Sequence, residues 1–233
     1  NDNLAIGYQA MTTDTAGGSN NVAIGNYALD ALTSGDDNVA IGKDAGTTQT
    51  TASSSVFIGS GAGEATTTGS DNTALGKDAL KANSTGANNT AVGHNALLTN
   101  TTATNNVAVG DSALKDNTTG ANNVAVGNNA LFENTTASDN TAVGVNAMLD
   151  NTTGATNVAI GKSALENNTT AADNIGIGGN ALFTNTTGAS NVAVGTSSMY
   201  YNTTASSNTA VGHAALNANT TGDRNVAIGT TSL

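Results

Sequence analysis

A branched aliphatic, a small residue and a second branched aliphatic recur ahead of a glycine along the chain, as in Val107-Ala108-Val109-Gly110 and Val158-Ala159-Ile160-Gly161. The residue just before the glycine is always Ile, Val or Leu, the one three before it is Val, Ile, Leu or Thr, and the one between is nearly always Ala. This alternation has the period of two of a strand with one face buried. Three and four residues after the glycine stand Ala and then Leu or Met in most copies, as in Ala113 with Leu114 and Ala147 with Met148, which predicts a second short strand. The intervening stretch is polar: Asn117-Thr118-Thr119-Gly120 in one copy becomes Asn134-Thr135-Thr136-Ala137 in the next. That Gly/Ala alternation is unbroken from Gly86 to Gly222, so the underlying unit is a pair of copies.

The glycines themselves are Gly7, Gly25, Gly42, Gly59, Gly76, Gly93, Gly110, Gly127, Gly144, Gly161, Gly178, Gly195, Gly212 and Gly229, spaced by 17 residues except for 18 between the first two. The inserted residue falls around Gly17 and Gly18 and belongs in a loop. Four residues before the glycine stands asparagine, notably Asn72, Asn89, Asn106, Asn123, Asn140, Asn157, Asn174, Asn191 and Asn208, with Ser55 the one exception among the fourteen copies.

Fixed-period self-similarity of this length is the mark of a solenoid. The pattern predicts an all-β fold, a parallel β-solenoid of about fourteen 17-residue coils forming a single repeat domain over residues 1–233. Each coil runs as a first strand at Asn-Val-Ala-Val, a tight corner at glycine, a second strand at Ala-Leu and a return through Asn-Thr-Thr. Glycine suits the corner because it takes a positive φ without steric penalty. Asparagine amides satisfy turn backbone groups, and stacked asparagines bond to one another in ladders. At the strand spacing of about 4.8 Å the stack is expected to reach roughly 65 to 70 Å.

Composition narrows this further. With three Phe, four Tyr, three Met and no Trp, the chain lacks the side chains that fill a thick core, so a lone column is expected to need burial against others. Candidate packing surfaces are the Ala-Leu segment and the position five after glycine, which holds Leu98, Phe132, Leu149, Phe183 and Tyr200 among Lys and Glu. Disorder is excluded by the strict register of the aliphatics. A net charge of −11 with six Lys and Arg disfavours nucleic acid and anionic membrane surfaces, and neither is expected as a partner. There is no cysteine for a disulfide or thiolate metal site, no signal peptide, and no apolar run of spanning length. The chain is expected to be a piece of a longer fibrous protein.

Catalysis needs different groups converging on one pocket, whereas identical coils supply files of one group. His94 and His213 share the position after the glycine, seven coils apart, and read as surface residues. Asp36, Asp37, Asp139 and Asp173 read as solvated loop charges, because the nine-residue Gly-Gly-x-Gly-x-Asp unit of calcium-binding rolls is missing. No catalytic, cofactor-binding or metal-ligating residue is therefore assigned. A hexapeptide acyltransferase helix is excluded by the 17-residue period. Stacked pairs such as Thr118-Thr119 could form an ice-binding array, but hydroxyl capping of a turn accounts for them better. Asn-x-Thr sequons recur at Asn100, Asn117, Asn134, Asn151, Asn168, Asn185, Asn202 and Asn219, and would matter in a host that glycosylates asparagine.

The phrase Asn20-Asn21-Val22-Ala23-Ile24-Gly25, repeated as Asn157-Val158-Ala159-Ile160-Gly161, resembles the head repeats of trimeric autotransporter adhesins of the YadA type, and similar repeats of bacteriophage tail fibres. The resemblance covers the whole chain. The coils here are longer than the usual head repeat, by what looks like the Asn-Thr-Thr loop. The resemblance implies a left-handed β-roll, a homotrimer, strands that supply the core, and exposed coil surfaces that bind host-surface or matrix ligands. The expected function is then a non-enzymatic structural and adhesive rod on a cell surface or virion, without membrane contact by this segment. A self-assembling surface filament or sheath without a specific receptor is the alternative.

Overall fold

The computed structural model describes residues 2–13 and 17–233. The chain divides into two compact units, Asn1–Thr119 and Gly120–Leu233. The first carries β1 (Leu4–Ile6), β2 (Val22–Ile24), β3 (Val39–Ile41), β4 (Val56–Ile58), β5 (Thr73–Leu75), β6 (Thr90–Val92) and β7 (Val107–Val109). The second carries β8 (Val124–Val126), β9 (Thr141–Val143), β10 (Val158–Ile160), β11 (Ile175–Ile177), β12 (Val192–Val194), β13 (Thr209–Val211) and β14 (Val226–Ile228). Within each unit every strand pairs in parallel with the next, in register, as in Val158↔Ile175 and Ile160↔Ile177. The fold is an all-β parallel β-solenoid, and no helix occurs among the described residues. Gly17 and Gly18, where the extra residue was expected, lie in irregular backbone between β1 and β2.

The first strand is three residues long, with its asparagine just outside it. The expected second strand at Ala-Leu does not form. That segment is a turn in which the residues two and four after the glycine both take left-handed φ, as at Ser112 (57°) and Leu114 (50°). The left-handed region is open to asparagine and glycine but is unusual for leucine. Leucine adopts it here because the turn delivers its side chain to the column's centre, where Leu114 is fully buried. Its amide still bonds across coils: Leu97 N–H donates to the Ala113 carbonyl at 3.0 Å. Backbone hydrogen bonding between coils therefore continues beyond the strands. Ala79 N–H bonds back within its own coil to the Gly76 carbonyl, Asp78 N–H to Ser60, and Leu80 N–H to Ala96.

The core lies on the alanine side of the strand. Ala108, Ala125, Ala142 and Ala159 are fully buried, while the Val, Ile and Thr on either side of them form files on the outer face. The interior of a 17-residue coil is too narrow for three branched side chains. It takes one Leu or Met, two Ala and two Asn, and the β-branched residues, which suit the pleated surface, go outside.

One exchange shows how tightly that interior is filled. In the Gly42 and Gly59 coils the leucine position holds Gly46 and Gly63, and the strand alanine of the Gly59 coil is replaced by Phe57, which is 1% exposed. A Cβ on Gly63 would stand 2.7 Å from three Phe57 ring carbons, and one on Gly46 would stand 2.9 Å from Phe57 Cδ2. One ring thus occupies the room vacated by two leucines.

Candidate functional site

The corner glycines Gly25, Gly42, Gly59, Gly76, Gly93, Gly110, Gly127, Gly144, Gly161, Gly178, Gly195 and Gly212 have φ between 128° and 140°. At Gly127 a second constraint acts, because an added Cβ would stand 2.5 Å from the Gly144 carbonyl oxygen of the next coil. Backbone passes directly over backbone there, so both the dihedral and the lack of a side chain are needed.

The asparagines four residues earlier form a buried ladder. Asn89 N–H donates to Asn72 Oδ1 at 3.0 Å, Asn106 N–H to Asn89 Oδ1 at 3.0 Å, and Asn140 N–H to Asn123 Oδ1 at 3.0 Å. Asn157, Asn174, Asn191 and Asn208 repeat the bond at 2.9 to 3.0 Å. The amide nitrogen also holds a backbone carbonyl of the returning chain, as from Asn140 Nδ2 to Gly154 at 2.9 Å. Each side chain thereby ties together two coils and the two sides of one coil.

A second ladder occupies the position seven after glycine. Asn100 Nδ2 donates to Asn83 Oδ1 at 2.9 Å, and Asn151, Asn168, Asn185 and Asn202 repeat the bond at 2.9 to 3.0 Å. These are the sequon asparagines, and Asn100, Asn117, Asn134, Asn151, Asn168, Asn185 and Asn202 are fully buried. Their nitrogens face the preceding coil, so the folded column offers them to no glycosylating enzyme. The return segment is thus part of the interior on its asparagine side. The only sequence signal for this was that its register matches the first ladder's.

The two threonines that follow divide their roles. The first is half-buried and its hydroxyl donates to the same residue's carbonyl in the next coil, as from Thr101 to Thr118 and from Thr152 to Thr169. The second is exposed in coil after coil, at Thr51, Thr68, Thr85, Thr102 and Thr119 in the first unit and Thr136, Thr153, Thr170, Thr187 and Thr204 in the second.

Charges stand in exposed or half-exposed files. Lys81 bridges Asp78 at 3.0 Å and Glu64 at 3.3 Å. Burial works to raise the Asp78 carboxyl, but the hydrogen bond and charge of Lys81, with Lys77, hold it below its ordinary range. His94 Nδ1 lies 3.2 Å from Asp111 Oδ2 in the adjacent coil, and Ser112 and His94 together lower the Asp111 carboxyl. Asp36 Oδ1 accepts the Ser19 amide at 2.8 Å, and Asp37 Oδ1 accepts Asn20 Nδ2 at 3.1 Å, so this acidic pair caps the neighbouring coil. His213 is exposed. No group of three His, Cys, Asp or Glu that could hold a metal occurs among the described residues.

What remains as a candidate contact surface is the outer face of the strands. Its residues are Val, Ile, Leu or Thr at every position, without a charge. The side chains are partly exposed, with Val109 and Val126 at 36% and Leu75 at 45%. The position five after glycine adds a smaller patch in the second unit, where Phe183 and Tyr200 stack with centroids 5.0 Å apart and Tyr201 packs edge-on against Tyr200 at 4.7 Å.

No protein-family model matches the chain, and no curated protein does. The likeness to YadA-type head repeats therefore rests on the repeated motif.

Proposed function

We propose that the chain is a structural and adhesive rod of an extracellular, cell-surface or virion fibre, a left-handed roll in which three identical chains pack side by side. The observation that carries this reading is the outer strip of Val, Ile, Leu and Thr, mostly apolar, uncharged in every coil and left partly exposed by the chain's own residues. Contiguous apolar surface of this kind marks an interaction face, and burying it is favourable by about 25 cal/mol per Å². The same strip recurs on every identical chain, and closed symmetric assembly is the usual way such a surface is covered. The remaining faces are polar and repetitive, which suits weak multivalent contact with a host-surface or matrix ligand. Catalysis, a cofactor, nucleic acid and membrane contact have no part in the reading.

Sedimentation equilibrium tests the association: the expected mass is three times the 22.7 kDa of one chain. Val126→Asp, which places a charge on the strip, is expected to dissociate the assembly while leaving the β spectrum intact. A monomer at millimolar concentration would refute the association. Adhesion is tested separately by binding of the assembled protein to host cells and matrix components. Absence of binding, with electron micrographs of end-to-end polymers of indefinite length, would replace the adhesive reading with that of a sheath.

A further inference from the structure

Three interruptions of the repeat coincide between Gly42 and Asn72. The first asparagine ladder is broken at Ser55, whose hydroxyl replaces an amide: Asn72 N–H reaches Ser55 Oγ at 3.3 Å, and Asn72 Nδ2 turns to the Gly69 carbonyl at 2.9 Å. The second ladder begins only at Asn83: in the three preceding coils its position holds Leu32, Gln49 and Thr66, of which Leu32 is apolar and needs no partner while Gln49 and Thr66 do. Both of these polar residues are fully buried, and Gln49 Oε1 and Thr66 Oγ1 have no hydrogen-bond partner. The contrast with Ser198 is instructive: this buried hydroxyl, also an exception to its file, finds the Ala210 carbonyl at 3.2 Å. The third interruption is glycine at Gly46, Gly61 and Gly63, each at left-handed φ where most other coils carry a side chain. Glycine there enlarges the entropy released on opening. The backbone bonds between these coils are all of the usual kind, as from Thr50 N–H to Thr67 and from Gly63 N–H to Ala79.

We propose that the segment from Gly42 to Asn72 is a built-in weak link, the stretch of column that opens first while the other coils of its unit stay closed. The coils from Gly76 onward are held by backbone bonds and by two amide ladders that reinforce one another, and the Gly25 coil by one ladder and a buried Leu32. This segment keeps the backbone bonds, loses ladder rungs on both sides and buries two unsatisfied oxygens, which water would satisfy on opening. Opening of one cooperative block ahead of the rest is the normal behaviour of solenoids, and the composition of the block decides where it starts.

Hydrogen exchange on the intact chain reads this directly. Amides bonded between coils at Gly46, Thr50, Gly63 and Thr67 are expected to be protected about tenfold less than their counterparts Met148, Thr152, Leu165 and Thr169, after correction for intrinsic rates. Restoring the ladders with Ser55→Asn, Gln49→Asn and Thr66→Asn together is expected to recover that factor. The converse pair, Asn151→Gln with Asn168→Thr, transplants the gap into the second unit and is expected to lower protection at Met148 and Leu165 by about as much. Equal protection of the two segments in the natural chain would overturn the proposal. So would a deficit that neither the repair nor the transplant moves, because the ladders would then not be its cause.

Discussion

Replacing Phe57 with alanine should destabilise its coil by about 3 to 5 kcal/mol, the usual range for deleting a buried ring from a core that cannot collapse. Collapse is blocked here because the neighbouring coils are fixed in register by their own backbone bonds, as between Val39 and Val56 and between Val56 and Thr73. The reverse error is also available. Leucine at position 63 alone would place Cβ 2.7 Å from the ring, and such overpacking costs about 1 to 3 kcal/mol. The backbone does not forbid it, since Gly63 has φ 59° and Leu80, one coil on, has φ 54°. The triple variant Phe57→Ala, Gly46→Leu, Gly63→Leu recreates the interior of an ordinary coil. It should therefore lie within about 1 kcal/mol of the natural protein, although its component changes are all harmful alone.

The free energies are best taken from hydrogen exchange of amides in residues 40–75, because unfolding of a repeat array need not be two-state. Strong favourable coupling is the expected result. If the penalties of the single changes simply add in the triple variant, the ring does not fill the leucine space and the description of the core is wrong.

Four further outcomes follow from particular contacts. Gly127→Val forces a β-branched residue to φ 134° against the Gly144 carbonyl, and should cost about 3 kcal/mol or more, measured as lost amide protection around that corner. Asn151→Ala removes two ladder bonds, from its own Nδ2 to Asn134 Oδ1 and from Asn168 Nδ2 to its Oδ1, each worth about 0.5 to 1.5 kcal/mol net, and should lower the denaturation midpoint accordingly. His94→Ala removes an exposed contact to Asp111 and should change the thermal midpoint and the sedimentation mass by nothing measurable. Burial, with Glu166 adding to it, raises the Asp150 carboxyl above its usual 3.8, so the folded state binds that proton more tightly than the unfolded one. The group therefore weakens the fold above the raised value and ceases to do so below the ordinary one. Asp150→Asn should raise the melting temperature slightly at about pH 7 and not at about pH 3.

Much of this architecture was legible because the repeat multiplies a weak signal: one Val-Ala-Val-Gly says little, but fourteen in register specify parallel strands stacked on themselves. The failures have physical causes. Two residues, Ala and Leu, cannot distinguish a short strand from a turn that alternates right- and left-handed φ, and leucine is rarely found in the left-handed region. Gly46 and Gly63, glycines standing in the leucine file, were the available evidence for a positive φ there. Valine and isoleucine outrank alanine in hydrophobicity, and only the small circumference of the coil inverts their places. Asn117 and its equivalents read as loop residues because they sit beside threonines. Their burial follows from hydrogen-bond partners, of which hydropathy contains no trace.

The two asparagine ladders also give each unit an electrical sense. Backbone bonds between coils run both ways, as when Val22 N–H donates forward to Asn38 while Gly25 N–H donates back to Ile6. The amide rungs do not: Asn38 donates to Asn21, Asn100 to Asn83, Asn168 to Asn151 and Asn208 to Asn191, the later residue to the earlier. The side-chain dipoles of both ladders therefore add along the axis instead of cancelling, and hydrogen bonds in such a chain polarise one another. A sheet-based column thus acquires the kind of macroscopic polarity otherwise associated with a helix. Coils can be inserted or removed in whole repeats without disturbing it, but a coil run in the opposite direction would oppose oxygen to oxygen at both rungs.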